Sequence, residues 1–334
     1  MLLVSDQSRK MFERARQEGF AMVAHNSIGQ FGFNVSLAAA KRKKAPIICQ
    51  MSLGASKFAS GTAVGNSLDG AIATALSLEW LAKKADVPVM FTTDHCQLKD
   101  RAFLDGILDF VENRKRQSKN PLFAGVMFDG AEEELELNVE TSLELVKRCQ
   151  DLGVMLEVEL GKVGGEEDGA ASGTNDELYT TPEQVEYAVD TLRDYMTWLT
   201  WALIFGNKHG AYKSDQVELR PEILDSCQAK AQEVLSSSEE KPLRLVFHGG
   251  SSTPAEIVTS TISSGVVKMN VDTETQWALG NSVAEYCAEY GEKMTDFYTG
   301  KKFFDARKWL APAQAAAADT LDQKIDMLLS AGKA

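Results

Sequence analysis

Three observations predict an α/β fold of the (β/α)8, or TIM-barrel, class, with inserted active-site loops and a C-terminal helical extension. The chain contains eight short apolar runs, helix-length intervals separate them, and reactive side chains collect at their C-terminal ends. The runs read AMVAHN (ending at Asn26), PIICQMS (Ser52), VPVMFTTDHC (Asp94, His95) and LFAGVMFD (Asp129). They continue with MLEVELG (Glu157, Glu159), WALIFGNKHG (Asn207, His209), LRLVFHGGS (His248, Ser251) and VVKMNVDT (Asn270, Asp272). Near-continuous Val, Ile, Leu and Met suit strands buried on both faces, as in a parallel sheet. Eight such strands suggest closure into a barrel, whose chemistry sits at the C-terminal strand ends. Polar and metal-liking residues at those ends point to an enzyme.

The intervals carry helix signals in turn. Residues 28–45 are short and finish in a basic run, Lys41 to Lys44, expected to be a solvated helix end. Residues 67–85 place apolar side chains at 68, 71, 72, 75, 76 and 80, a helical stripe, with lysines in the last turn. Residues 132–152 open with acids, carry Lys147 and Arg148 near the end and stop at Gly153, matching the preferences of both helix termini. Thr181-Pro182 predicts a capped start with Pro at the first helical position, and Thr253-Pro254 repeats it before Gly265 ends that helix. Two segments fit no barrel element. Residues 161–179 are Gly-rich, acidic and poor in apolar side chains, the composition of a mobile active-site loop. From about residue 294 a basic arm and an Ala-rich helix form a tail. With no internal repeat and no linker composition, residues 1–334 read as a single barrel domain with appendages.

Composition narrows the partners. The 334 residues exceed those of a minimal barrel, which leaves room for the loops and tail, and 44% hydrophobic residues suffice for one large core. A net charge of −13 disfavours nucleic acid or an anionic membrane as partner, so an anionic substrate needs a local cluster of donors. Five scattered cysteines without a C-x-x-C pair suit reduced thiols. No signal-like segment or membrane-length apolar run is present. The expected location is cytoplasmic, the alternative being a mature organellar form whose targeting peptide has been removed.

Three of the four histidines, His95, His209 and His248, fall at the ends of the third, sixth and seventh strands. Barrel closure brings those ends to one rim, and three imidazoles with an open position describe a catalytic zinc site. Glu159 is a further candidate ligand, and Glu157 shares its strand face by period-two alternation. Asp94 precedes His95 directly, so the two point apart and Asp94 is free to reach a substrate. Glu166, Glu167 and Asp168 lie on the Gly-rich loop, where an acid folding over the substrate suits a proton shuttle. His25 reads as a core or rim histidine.

A second constellation suits phosphate. His248-Gly249-Gly250-Ser251-Ser252 follows the seventh strand and precedes a helix start, where backbone N–H groups and the helix dipole favour an anion. Asn270, Asp272 and Thr273 end the eighth strand, and Gly210 beside His209 allows another close backbone approach. Loops after strands seven and eight commonly bind phosphate in this fold. A Lewis-acid metal, flanking carboxylates and an anion cradle together suit carbanion formation beside the carbonyl of a phosphorylated sugar.

The motifs VAHNSIGQ, QMSLGASKFASG, TTDHC, LEVELGKVGGEEDG, YTTPEQV, FGNKHGAYK, VFHGGSS, KMNVDTETQW and DARKWL, in this order, resemble class II, zinc-dependent fructose-1,6-bisphosphate aldolases. The similarity spans nearly the whole chain, and the LEVELG–GGEEDG block is similar to the class IIA branch. The resemblance implies reversible aldol cleavage of fructose 1,6-bisphosphate to dihydroxyacetone phosphate and glyceraldehyde 3-phosphate, a lyase step of glycolysis and gluconeogenesis. It implies zinc on His95, His209 and His248, with Asp129 and Glu159 holding an alternative position. It casts Asp94 as acid/base at the C4 hydroxyl, Glu167 as the loop acid that exchanges a proton on the dihydroxyacetone phosphate carbon, and Asn26 and Asn270 as contacts to substrate oxygens. Gly210, Gly249, Ser251, Asp272 and Thr273 match one phosphate cradle, associated with a monovalent cation (Na+ or K+). Ser52 and Arg307 match the other, the arginine crossing from the second subunit of a homodimer. Thr92, Ala211 and Thr253 depart from the usual pattern without removing a chemical role.

Three alternatives stand beside this reading. A Schiff-base aldolase would use Lys268, whose burial would favour the nucleophilic amine, but would leave the three histidines idle. A non-catalytic metal-binding protein would have no use for Asp94 and Glu167. A related lyase acting on tagatose or sedoheptulose bisphosphate differs only in substrate stereochemistry or length.

Overall fold

The computed structural model describes residues 1–161, 164–167, 170–172, 179–209, 219–251 and 253–334, with the backbone only at 164–167, 170–172 and 209. Its first half runs α1 (Asp6–Glu18), β1 (Met22–Asn26), α2 (Gln30–Lys43), β2 (Ile47–Met51), α3 (Leu53–Ala59), α4 (Gly61–Val64), α5 (Ser67–Ala85) and β3 (Val89–Thr93). Next come α6 (Arg101–Arg116), β4 (Gly125–Phe128), α7 (Leu135–Leu152), β5 (Met155–Leu160), β6 (Gly164–Glu167) and β7 (Ala170–Ser172). After these follow α8 (Pro182–Leu192), β8 (Leu199–Leu203), β9 (Lys208–His209), α9 (Glu222–Leu235), β10 (Leu245–Phe247) and α10 (Ala255–Ser263). The chain finishes with β11 (Val266–Val271), α11 (Thr273–Met294), α12 (Lys301–Phe304) and α13 (Ala306–Met327).

The eight apolar runs become β1, β2, β3, β4, β5, β8, β10 and β11, which close in parallel into one barrel. The register sets the mouth: Asn26 lies opposite Gln50, and Ala24 opposite Asn270, so the ends of β1, β2 and β11 stand level. Every residue of β2, β3, β5, β8 and β11 is buried, which explains the absence of hydrophobic alternation in the sequence. Phe33, Phe91, Phe123, Trp201, Phe205 and Phe247 are among the largest fully buried side chains of the core.

Local chemistry sets the helix ends. Thr181 and Gln184 form a complete capping box with Pro182 at the first helical position of α8. Asn66 caps α5, and Gly153 ends α7 in the left-handed conformation at φ 73°.

Several expectations change. α7 begins at Leu135, three residues after the acidic run starts. The cap of α10 is Pro254, and Thr253 lies outside it. On α5 the buried face is made of Gly70, Ala71, Thr74, Ala75, Leu78 and Ala82, while Leu76 and Trp80 are exposed. Small side chains there let α3 pack close, so the helix buries little of its predicted apolar stripe. The basic end of α2 is not simply solvated: Arg42 pairs with Asp319 and Asp322 at 2.9 Å, and Lys43 with Asp326 at 2.5 Å. These pairs dock α13, which buries Ala313, Ala317, Ala318, Leu321 and Ile325. Within the Gly-rich loop, β6 and β7 pair antiparallel, and β6 pairs in parallel with β9 through Gly164–Lys208 and Gly165–His209.

Candidate active site

Polar side chains from β1, β2, β5 and β11 and from the segments after β3, β4 and β10 converge on the C-terminal mouth of the barrel. Asp94 is fully buried and accepts from two amides: Asn26 Nδ2 at 2.7 Å and Asn270 Nδ2 at 3.0 Å. Gln50 Nε2 in turn donates to Asn26 Oδ1 at 2.5 Å, which orients that amide toward Asp94.

His95, the next residue, does not point away as expected: one of its ring nitrogens lies within 4.8 Å of an Asp94 carboxylate oxygen. Its Nδ1 lies 2.9 Å from Asp129 Oδ2 and 3.6 Å from Glu159 Oε2. His248 is held on both ring nitrogens, with Nδ1 3.1 Å from Glu159 Oε2 and Nε2 2.8 Å from Glu157 Oε1. The His95 and His248 rings meet edge to face, with centroids 4.7 Å apart. Two ligand groups result, Asp94–His95–His248 and His95–Asp129–Glu159, each with its atoms within 4.8 Å of one another. They share His95.

The electrostatics of this cluster fit a bound cation. Asp94, Asp129, Glu157 and Glu159 are all buried, and Lys268, also buried, pairs with one of them, 2.6 Å from Glu157 Oε2. Burial pushes Glu159 above the usual carboxylate range, and the nearby charge of Asp129 adds to it. Asp129 and Glu157 also pay a desolvation penalty, but His95 draws Asp129 down, and Lys268 with His248 draws Glu157 down to about 2. Burial disfavours charge on His248 too, yet Glu157 and Glu159 outweigh it and raise its pKa to about 9. Lys268 is engaged by Glu157 in a buried contact, which weakens the Schiff-base alternative.

The phosphate-type loop has the expected backbone. Gly249 adopts φ +63°, which favours glycine there, while a Cβ at Gly250 would stand 2.3 Å from Met269 Cε, the movable end of a flexible side chain. Ser251 is buried in this turn, and Asp272 and Thr273 form the cap and first residue of α11. Ser52 caps α3 by accepting from Ala55 N at 3.3 Å. Arg307 is exposed on the first turn of α13 and pairs with Asp305. His209 and Glu167 have described backbones in β9 and β6, which are in the same small sheet, while their side chains and all of Gly210 lie outside the described residues.

Sequence reading passed over Gln50, hidden inside an apolar run, although its period-two relation to Ser52 marks it as facing the same side. It also gave no role to Asn138, whose Nδ2 donates to the Glu159 carbonyl at 2.8 Å, or to Asn207, whose Nδ2 donates to the His248 carbonyl at 2.9 Å. Both steady the backbone of a candidate ligand. Asn138 sits in the first turn of α7, where nothing local signals a contact with β5.

The chain is similar to known proteins along nearly its whole length. A family model described as fructose-bisphosphate aldolase class-II matches residues 6–333. The class 2 fructose-bisphosphate aldolase of Escherichia coli K12 is 36% identical over 346 residues, covering 98% of this chain and 95% of that protein. The fructose-bisphosphate aldolase of Edwardsiella ictaluri is 38% identical over 340 residues, covering 96% and 94%. Among solved structures, the fructose-bisphosphate aldolase of Campylobacter jejuni superposes with a TM-score of 0.88 at 34% identity, covering 100% of this chain and 97% of that one.

Proposed function

The chain belongs to the class II fructose-bisphosphate aldolase family, and from that premise we propose how its barrel mouth carries out the reaction. The chain is an aldehyde-lyase that reversibly cleaves fructose 1,6-bisphosphate to dihydroxyacetone phosphate and glyceraldehyde 3-phosphate. The observation that carries our site assignment is the pair of overlapping ligand groups that share His95. His95, His209 and His248 hold the catalytic metal in this reading, and Asp129 and Glu159 offer it an alternative position. The family is metal-dependent, the surplus of buried carboxylates supports a divalent cation, and the imidazoles favour zinc over magnesium or calcium. Zinc bound there supplies Lewis-acid chemistry, polarising the ketose carbonyl and stabilising enediolate charge.

The remaining work falls to side chains. Asp94 takes the proton of the C4 hydroxyl; as the C3–C4 bond breaks, its electron pair stays with C3 and the C4 oxygen becomes the aldehyde carbonyl. Glu167 returns a proton to that carbon, completing dihydroxyacetone phosphate. Asn26 and Asn270 keep Asp94 in place and contact substrate oxygens on the enediolate side. Gly210, Gly249, Ser251, Asp272 and Thr273 cradle one phosphate, with Na+ or K+ beside it. Ser52 and Arg307 hold the other, the arginine contributed from the second subunit of a homodimer.

Removal of metal with EDTA should abolish cleavage, and added Zn2+ should restore it. Full turnover by metal-free protein, or a borohydride-trapped substrate adduct on Lys268, would overturn the assignment. A comparison of kcat/KM for fructose and tagatose bisphosphates, epimers at C4, should favour the fructose epimer.

A further inference from the structure

Behind His248 lies a buried chain of groups that the reaction itself does not use. Lys268 Nζ donates to Glu157 Oε2 at 2.6 Å, and the other carboxylate oxygen, Oε1, stands 2.8 Å from His248 Nε2. Thr200 Oγ1 adds a longer contact to Oε2 at 3.4 Å. Lys268 is 1% exposed and His248 also 1%, so solvent does not compete for these bonds. A buried ion pair is a poor source of stability, since an apolar pair of similar volume often does as well. It can, however, do something an apolar pair cannot. Glu157 Oε2 accepts from Lys268 Nζ, and Oε1 then stands as the acceptor for a proton on His248 Nε2. That leaves Nδ1, the nitrogen 3.1 Å from Glu159, with the lone pair a metal requires.

We propose that Lys268 and Glu157 are positioning residues that fix the tautomer and ring orientation of His248 so that Nδ1 is presented to the metal. The inference rests on the metal-centre reading above and deepens it. It makes a sharp forecast for Glu157→Gln. The Lys268 ammonium draws the amide oxygen toward itself, which turns the amide NH2 toward His248 Nε2. The amide then donates to Nε2, the ring proton moves to Nδ1, and the ligand atom is blocked. Adding Lys268→Met removes that bias and lets the amide flip, its oxygen again accepting from Nε2–H.

The test measures Zn2+ affinity of apoprotein by competition with a chromogenic chelator. Glu157→Gln should bind roughly 10- to 100-fold more weakly than wild type, the usual loss when a ligand's orienting partner is changed. The Glu157→Gln/Lys268→Met double variant should regain at least part of that loss, an outcome that a purely structural role would not produce. Wild-type affinity in the single variant, or a double variant no better than the single, overturns the proposal. Wild-type apoprotein that binds no Zn2+ overturns the metal-centre reading as well, so the two failures are distinct. A readout without any variant guards against misfolding: the chain has four histidines, so [15N]histidine spectra of zinc-loaded protein are readily assigned. His248 protonated on Nε2 supports the proposal, and protonation on Nδ1 refutes it.

Discussion

Asp94 is held by two amides and touches no lysine or arginine in the described contacts, so its carboxylate is oriented by neutral donors. Replacing Asp94 with Ala should lower kcat on the order of 10²- to 10⁴-fold, the usual worth of a general base. Bound zinc, measured by metal analysis, should be unchanged; loss of the metal would make Asp94 a ligand instead, a role its closeness to His95 and His248 permits. His25 behaves differently. Burial alone pushes its pKa down to about 4 from an ordinary 6.5, while Ser36 Oγ lies 2.7 Å from Nδ1. Between those values the unfolded chain binds a proton that the folded chain refuses. The stability it protects is therefore full above about pH 6.5 and drains away as pH falls toward 4, by up to roughly 3 kcal/mol. Urea titrations at pH 7 and pH 4.5 should show a larger loss for wild type than for His25→Gln.

At the level of elements, what could be read in advance followed from how strongly each segment's surroundings are written into it. The barrel strands were legible because a strand buried on both faces needs an unbroken apolar run, and Asp94, His95 and His248 were legible because strand ends are where this fold keeps its chemistry. β6 and β7 were not, since Gly-rich acidic sequence has no strand propensity and their pairing depends on the neighbouring β9. α1 was missed for a related reason: Phe12 is the one large apolar side chain it buries. Its attachment is ionic. Glu13 bonds Arg16 at 2.5 Å and, across the N-terminal end of the barrel, Arg244 at 2.9 Å. Its own burial opposes ionisation, but the two arginines prevail and hold its pKa below the usual value. The stabilisation is thus complete above the unfolded carboxylate pKa and lost as pH falls through the lower folded one. Glu13→Gln should cost about 1 kcal/mol at pH 7, and the gap from wild type should narrow in acid. On the proposed roles, the β6–β9 ladder also pairs His209 with Gly165, two residues before Glu167, so the strands of proton donor and metal ligand are set in register together.

For the whole molecule, the proposed homodimer is tested at Arg307. Its side chain is 89% exposed and its described partner is Asp305 of the same turn, so it is available to a second copy of the chain. Arg307→Ala should raise KM for the bisphosphate by roughly 10- to 100-fold, the worth of a charge-assisted contact, and have less effect on a substrate lacking the distal phosphate. If the arginine crosses between subunits, inactive Asp94→Ala chains mixed with Arg307→Ala chains should regain activity on exchange, because one site of each hybrid is then intact. Hybrids no more active than the sum of their parents would confine Arg307 to its own subunit. No helix among the described residues is long and apolar enough to cross a membrane. Ring closure has a consequence for biosynthesis. β1 finds one of its two neighbours in β2 but the other only in β11, the last strand of the barrel. While the chain is being translated, β1 carries an edge of unpaired N–H and C=O groups until almost the whole polypeptide has left the ribosome. Such long-range pairing is slow and exposes the nascent sheet to association with other chains. The same join that levels the mouth for chemistry makes this protein a candidate client of chaperones that shelter unfinished chains.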